Sequence, residues 1–188
     1  GALIRHLIES YWKELHLNND YDLLISPHVG KADLWEKSGH LSFYEENMFS
    51  AIEVDEQKYY VKPMNCPFHI LVYKNKPKSY RELPIRYAEL GTVYRYERSG
   101  ALHGLLRVRG FTQDDAHIIC TEEQMKEEIK SVTTFSINML KAFGFDKIKF
   151  YLATRPEEKY VGDVSHWKDS EAALEDAIKS LGLPYEVD

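Results

Sequence analysis

Cysteine is scarce here: Cys66 and Cys120 are the only two in 188 residues. Two thiols cannot build the disulfide framework that holds small secreted domains together, so a reduced, intracellular protein is expected. Long apolar runs are missing too. No stretch approaches the ~20 residues a membrane helix needs, and no signal-peptide pattern opens the chain, which points away from membranes and towards the cytoplasm. The absence of repeats, low-complexity tracts and linkers leaves out solenoids and tethered modules. Methionine is lacking at position 1, where Gly1 stands, and the chain stops at Asp188 just after "LPYEV". An excised piece of a longer protein is therefore expected.

What is present is a core's worth of apolar residues. Hydrophobic side chains make up 44% and aromatics 13%, which excludes disorder and suits one domain spanning 1–188. The net charge of −6 is uneven. Residues 74–109 hold nine Lys or Arg against three Glu, a local +6, so the remainder carries −12. An acidic chain with one basic stretch fits a phosphate-bearing ligand in a cleft better than a protein that coats nucleic acid.

Apolar residues at 3, 4, 7, 8, 11, 12 and 15 form a helical stripe, stopped by "NND" at 18–20. "YDLLISPHV" reads as a strand ending at Pro27, Asp33 to Lys37 as a short helix closed by Gly39, and residues 48–64 as a hairpin turning near Asp55 and Glu56. Pro67 suits a first helical turn, so Phe68 to Lys74 is predicted helical. Two strands, Ile85 to Glu89 and Thr92 to Glu97, are expected to flank Gly91. Thr121 to Gln124 is a capping box that opens a helix ended by Gly144. "KIKFYLAT" reads as a strand, and Ser170 to Leu181 as a helix stopped by Gly182. Strands in the middle and helices around them predict an α+β fold: a mainly antiparallel sheet flanked by helices.

The chemistry concentrates in "RYERSGALHGLLRVRGFTQDDAH", residues 95–117. If Leu105 to Ile119 is extended, Arg107, Arg109, Phe111, Gln113, Asp115 and His117 share one face, while Val108, Thr112, Ala116 and Ile118 share the other. A structural strand puts apolar residues on its buried face; this polar set bears groups that bind anions, rings, amines and metals. Arg95 and Glu97 lie two residues apart on the preceding strand. The loop between, with Gly100 and Gly104, is long for a hairpin, as binding loops are. Arginine forks suit phosphate or carboxylate, Phe111 can stack on a purine, and Glu97 can accept from an exocyclic amine. Cys66 at a helix start is expected to have a lowered thiol pKa and, with His117, to suit a metal. His69 forms a C-x-x-H with Cys66 and competes as a ligand on spacing alone.

"YRYE", a loop and "RVRGF" resemble the second signature motif of the class II aminoacyl-tRNA synthetases. "LWEKSGH", "KPMNCP" and "RGFTQDDAH" narrow the resemblance to the threonyl members of that class, of bacterial type, and it runs from end to end. The resemblance implies the catalytic core of that class and an ATP-dependent ligase that makes threonyl-adenylate and transfers threonine to tRNA(Thr), working as a homodimer. It implies ATP contacts at Arg95, Glu97, Arg107 and Phe111, with Arg95 catalytic at the α-phosphate and Mg2+ accompanying ATP. His40 is the implied helper in the transfer step. Cys66 and His117 are implied zinc ligands, with a third protein ligand outside this chain. Asp115 would accept from the threonine hydroxyl, and Gln113 and the Met64 backbone would orient the substrate.

The class's third motif, its anticodon-binding domain and an editing domain find no counterpart in these 188 residues. The expectation is thus an N-terminal part of a catalytic domain, inactive or weakly active alone. The competing reading is a catalytically inactive synthetase-like protein that binds nucleotide or tRNA and regulates. The intact set Arg95, Glu97, Arg107 and Phe111 argues against it.

Overall fold

The computed structural model describes residues 1–158 and 160–188. Two compact units form, Gly1–Ile119 and Cys120–Asp188. The fold class is mixed α and β with antiparallel sheets, as expected from the sequence.

In the first unit, helix α1 (Ala2–Asn18) turns Trp12 and His16 inward along the apolar stripe. Strand β1 (Asp22–Leu23) is shorter than the sequence suggests, because Pro27 and the loop behind it leave the ladder early. Strand β2 (Val29–Lys31) leads directly into α2 (Ala32–Lys37), and α3 (His40–Phe43) follows Gly39, whose φ of +79° only glycine adopts freely. The hairpin of β3 (Ile52–Val54) and β4 (Gln57–Val61) turns at Asp55 and Glu56, both with positive φ, as a two-residue hairpin turn demands. Strands β2, β4 and β3 make one antiparallel sheet. Its cover is a core of Trp35, Met48, Tyr60 and Phe68, with the Trp35 and Phe68 rings edge to face at 5.8 Å.

Helix α4 (Cys66–Lys74) has Pro67 in its first turn and buries Pro67, Phe68 and His69. It precedes the long hairpin that carries the site. Strand β5 (Ile85–Tyr94) pairs antiparallel with β6 (Gly110–Ile119), and β1 adds to β5 in parallel. The sequence suggested two strands separated by Gly91; β5 is instead continuous. The glycine is there because a Cβ at position 91 would collide with the side-chain amide of Asn65. Between the strands, residues 95–109 form the loop, longer than expected at both ends and containing one short turn of helix at Ser99–Ala101.

In the second unit, α5 (Glu122–Ala142) opens on the capping box, with Gln124 Oε1 accepting the Thr121 N–H at 3.0 Å, and Gly144 follows its end at φ +84°. Strand β7 (Phe150–Leu152) pairs in parallel with β8 (Tyr185–Val187). Helix α6 (Val164–Ser180) begins six residues before Ser170, with Asp163 at its N-cap position and no Pro or Gly to interrupt 164–169. Among the described residues of this unit, Leu152 on β7 and Ala177 and Ile178 on α6 are the buried apolar ones.

Candidate functional site

Antiparallel pairing puts directly opposed residues on one face. Phe111 faces Val93, Gln113 faces Gly91, Asp115 faces Glu89 and His117 faces Tyr87. The odd-numbered residues of β6 therefore share a face with Glu89 and Gly91, and Arg95 continues that alternation past the end of β5, its N–H bonded to the Arg109 carbonyl at 2.8 Å. The polar face expected from the sequence exists from Phe111 to His117. It does not extend through the arginines. Strand geometry begins only at Gly110, so Arg107 and Arg109 are placed by the loop. Arg109 turns away: its Nε donates to the Glu97 carbonyl at 3.0 Å and its guanidinium covers Tyr96 at 5.3 Å.

One end of the site is an open cleft of about 550 Å³ lined by Arg95, Glu97, Arg107, Phe111 and the loop leucines Leu105 and Leu106. Its size suits a small organic ligand. Arg95 lies over the Phe111 ring at 5.2 Å and donates from Nε to the Pro63 carbonyl at 3.4 Å, so both are held in place without ligand. Glu97 and Arg107 form an ion pair at 2.9 Å. The cleft thus offers an aromatic plate, a guanidinium beside it, and a carboxylate–guanidinium pair that a phosphate-bearing aromatic ligand can divide between its two ends. Leu105 and Leu106, 96% and 88% exposed, present an apolar loop tip that the sequence reading passed over; two adjacent leucines in a glycine-flanked loop were its signal.

At the other end, ligand atoms of Cys66, Asp115 and His117 all lie within 4.8 Å of one another. Asn65, fully buried against Gly91, donates from Nδ2 to Asp115 Oδ2 at 3.0 Å and orients that carboxylate. The thiol of Cys66 and the imidazole of His117 are donor types that zinc takes, and the Asp115 carboxylate lies beside them. His69, the competitor on spacing, is not in this cluster. It is fully buried behind it, with Nε2 3.0 Å from Glu89 Oε2 and Nδ1 2.9 Å from His117 Nδ1.

The electrostatics correct one expectation. The Cys66 thiol is pushed up, not down: burial does most of this and the charge of Asp115 adds to it, outweighing its own helix-start N–H and the charge of Arg95. Without metal, Cys66 is a thiol, and a metal must displace its proton. Burial lowers the His117 pKa, against the pull of Asp115 and with help from the charge of His69; a lowered pKa favours the neutral imidazole that binds a metal. His40 is likewise lowered by burial, partly offset by a backbone hydrogen bond at Ser38. It is outside the cleft lining: Ser38 Oγ lies 2.8 Å from its Nδ1, and its Nε2 meets Met64 Sδ at 3.3 Å. Met64 thus links His40 to the segment carrying Asn65 and Cys66. Gln113 is half-buried opposite Gly91.

Residues 49–180 match the family model of the tRNA synthetase class II core domain (G, H, P, S and T). Over all 188 residues the chain is 60% identical to a threonine–tRNA ligase of Sulfurihydrogenibium sp. (strain YO3AOP1), and it spans 29% of that protein. Among solved structures it is similar to the RNA binding domain of threonyl-tRNA synthetase from Cryptosporidium parvum Iowa II, with a TM-score of 0.93 and 39% identity over 100% of this chain and 46% of that one. A putative threonyl-tRNA synthetase from Aeropyrum pernix is similar with a TM-score of 0.87 and 31% identity, over 98% of this chain and 43% of that one. The chain spans about a third of the curated relatives' length. Because the family model covers well over half of it, the chain belongs to the class II core-domain family of aminoacyl-tRNA synthetases.

Proposed function

We propose that these residues are the N-terminal part of the catalytic domain of a threonine–tRNA ligase, which activates L-threonine with ATP and passes it to tRNA(Thr). The observation that supports this most is one sheet face joining the Arg95, Glu97, Arg107 and Phe111 cleft to the Cys66, Asp115 and His117 cluster. Phe111 stacks on adenine, and Glu97 accepts from its amine. Arg107 holds the outer phosphates of magnesium ATP. Arg95 neutralises charge on the α-phosphate as the threonine carboxylate attacks in line and pyrophosphate leaves. Positioning and charge neutralisation supply the rate; no covalent protein intermediate is needed.

Cys66 and His117 would hold zinc, with a third protein ligand outside this chain. When bound, zinc supplies a Lewis-acidic site for the amine and hydroxyl of threonine. Asp115, steadied by Asn65, accepts from that hydroxyl, and Gln113 and the Met64 backbone orient the substrate. Such a site rejects valine, whose methyl leaves the polar groups unpaired, by ~10⁴-fold or more, while serine, one methyl smaller, is disfavoured by only ~1–3 kcal/mol. His40, neutral and beside Met64, assists the transfer to tRNA. Leu3, Ile4, Leu7 and Ile8, all exposed along α1, suit a homodimer contact.

The test is pyrophosphate exchange in the full-length protein, with zinc content measured after mild EDTA for that protein and for this chain. Threonine-dependent exchange, with zinc lost more readily from the chain, is expected. ATP binding without exchange for any amino acid would instead favour the regulatory reading.

A further inference from the structure

Between β4 and α4 the chain crosses the interior as irregular backbone. Residues 62–65 belong to neither strand nor helix, yet Lys62, Pro63 and Asn65 are fully buried. Connecting segments ordinarily stay on the surface, where water satisfies their backbone. Here the protein satisfies it group by group. The Lys62 N–H donates to the His28 carbonyl at 2.9 Å, and the Lys62 carbonyl accepts the Tyr94 N–H at 2.8 Å. Pro63 has no N–H to place, and its carbonyl accepts from Arg95 Nε at 3.4 Å. The Asn65 carbonyl accepts the N–H groups of Phe68 and His69 in the first turn of α4.

At the head of this segment the Lys62 side chain, 1% exposed, ties it to two other parts of the chain. Its Nζ donates to Ser26 Oγ, between β1 and β2, at 2.7 Å, and lies 3.3 Å from Glu89 Oε1 on β5. The Ser26 N–H donates to the same carboxylate oxygen at 2.8 Å. For stability alone, a buried ion pair is often matched by apolar side chains of similar volume. What apolar side chains cannot supply is a directional anchor.

We propose that Lys62 is a positioning residue for the activation step: it pins a strut, residues 62–65, whose two arms hold Arg95 and Asp115 at a fixed separation. This rests on the reading given under Proposed function, in which Arg95 faces the α-phosphate and Asp115 the threonine hydroxyl. One arm is the Pro63 carbonyl on Arg95 Nε. The other is the Asn65 amide, whose Nδ2 donates to Asp115 Oδ2 at 3.0 Å. The Tyr94 N–H on the Lys62 carbonyl refers the backbone beside Arg95 to the same strut. In-line attack joins what the two held groups bind. The threonine carboxylate must reach the phosphorus beside Arg95 while its hydroxyl stays on Asp115. A misplacement of about 1 Å between such partners can lower the rate by about 100-fold.

The experiment is steady-state pyrophosphate exchange in the full-length protein. Lys62→Met removes the anchor. Pro63→Ala keeps the carbonyl that Arg95 uses and releases only the rotation that the proline ring fixes. In Lys62→Met kcat should fall by about 10- to 100-fold, and in Pro63→Ala by about 10-fold. KM for threonine and for ATP should stay within about threefold of wild type, because each ligand keeps its own contacts. Met48→Ala, which loosens the core around Trp35 and Tyr60, is the comparison: it should lower Tm and leave kcat unchanged. If Lys62→Met fails to fold, Pro63→Ala decides. A kcat within about threefold of wild type in the folded variants, or an equal fall in Met48→Ala, overturns the proposal. So does a raised KM with kcat kept, which would make the strut a binding element. Those results in a wild-type protein that exchanges with threonine sink the proposal alone. Absence of threonine-dependent exchange in the wild type sinks the activity reading, and the proposal with it.

Discussion

Glu97 and Arg107 hold one another: Arg107 Nη2 and Nε reach the same carboxylate oxygen, Oε2, at 2.9 and 3.1 Å. Each is proposed to serve a different end of ATP, so ligand binding must divide the pair. The Arg107 side chain is 59% exposed, and such a pair contributes at most ~1 kcal/mol to the fold. Arg107→Ala should therefore leave urea unfolding within about 1 kcal/mol of wild type. It should weaken binding of a non-hydrolysable ATP analogue by roughly 10- to 100-fold, the worth of one charge-assisted contact. Calorimetric titration reads the second effect; an unchanged affinity would remove Arg107 from the phosphate site.

Arg95 is set differently. It is half-buried, anchored by the Pro63 carbonyl and laid over Phe111. A guanidinium fixed before the ligand arrives suits charge that develops during reaction. Arg95→Ala in the full-length protein should abolish threonine-dependent pyrophosphate exchange, with an unchanged melting curve. Exchange within threefold of wild type would refute its role at the α-phosphate.

For Asp115 the readout is a ratio. If it accepts from the substrate hydroxyl, Asp115→Ala should narrow the preference for threonine over valine, since the buried acceptor that valine leaves unpaired is gone. The kcat/KM values for the two amino acids measure this. An equal ratio in wild type and variant would mean that another group reads the hydroxyl. Asp115 also lies within the Cys66 and His117 cluster, so zinc content should be measured alongside to separate a lost ligand from a lost acceptor.

The sequence made some of this visible and hid the rest, for physical reasons. Period-2 alternation located Phe111, Gln113, Asp115 and His117 on one face because β6 is regular there. It overreached at Arg109, whose side chain is aimed by loop hydrogen bonds that have no period. Gly91 suggested a break because glycine is a weak strand former; the reason for it, the Asn65 amide packed on its Cα, is a contact across 26 positions of sequence. The thiol of Cys66 was misjudged because a helix start is local and readable, whereas burial and Asp115 are not. His69 looked like a ligand by spacing. Its partner Glu89 lies on a strand twenty residues on, and nothing local announces that pairing.

The same Glu89 gives a prediction about acid stability. Its carboxyl, 4% exposed, titrates at about 2 in the folded chain against an ordinary 4.5. A group that binds its proton less readily when folded contributes stability that is complete above the unfolded value and is lost as pH falls towards the folded one. The window therefore runs from about pH 4.5 down to about pH 2. At roughly 1.4 kcal/mol per pH unit the whole contribution is about 3 kcal/mol, of which about 2 should be gone by around pH 3. Other carboxylates also titrate there, so the comparison is with Glu89→Gln, which lacks this share at every pH. Urea unfolding at about pH 6 and pH 3 should show the gap between wild type and variant closing by about 2 kcal/mol. A gap that stays constant between those two values would mean that Glu89 takes up its proton alike folded and unfolded, and that the Lys62, Ser26 and His69 contacts do not hold it ionised.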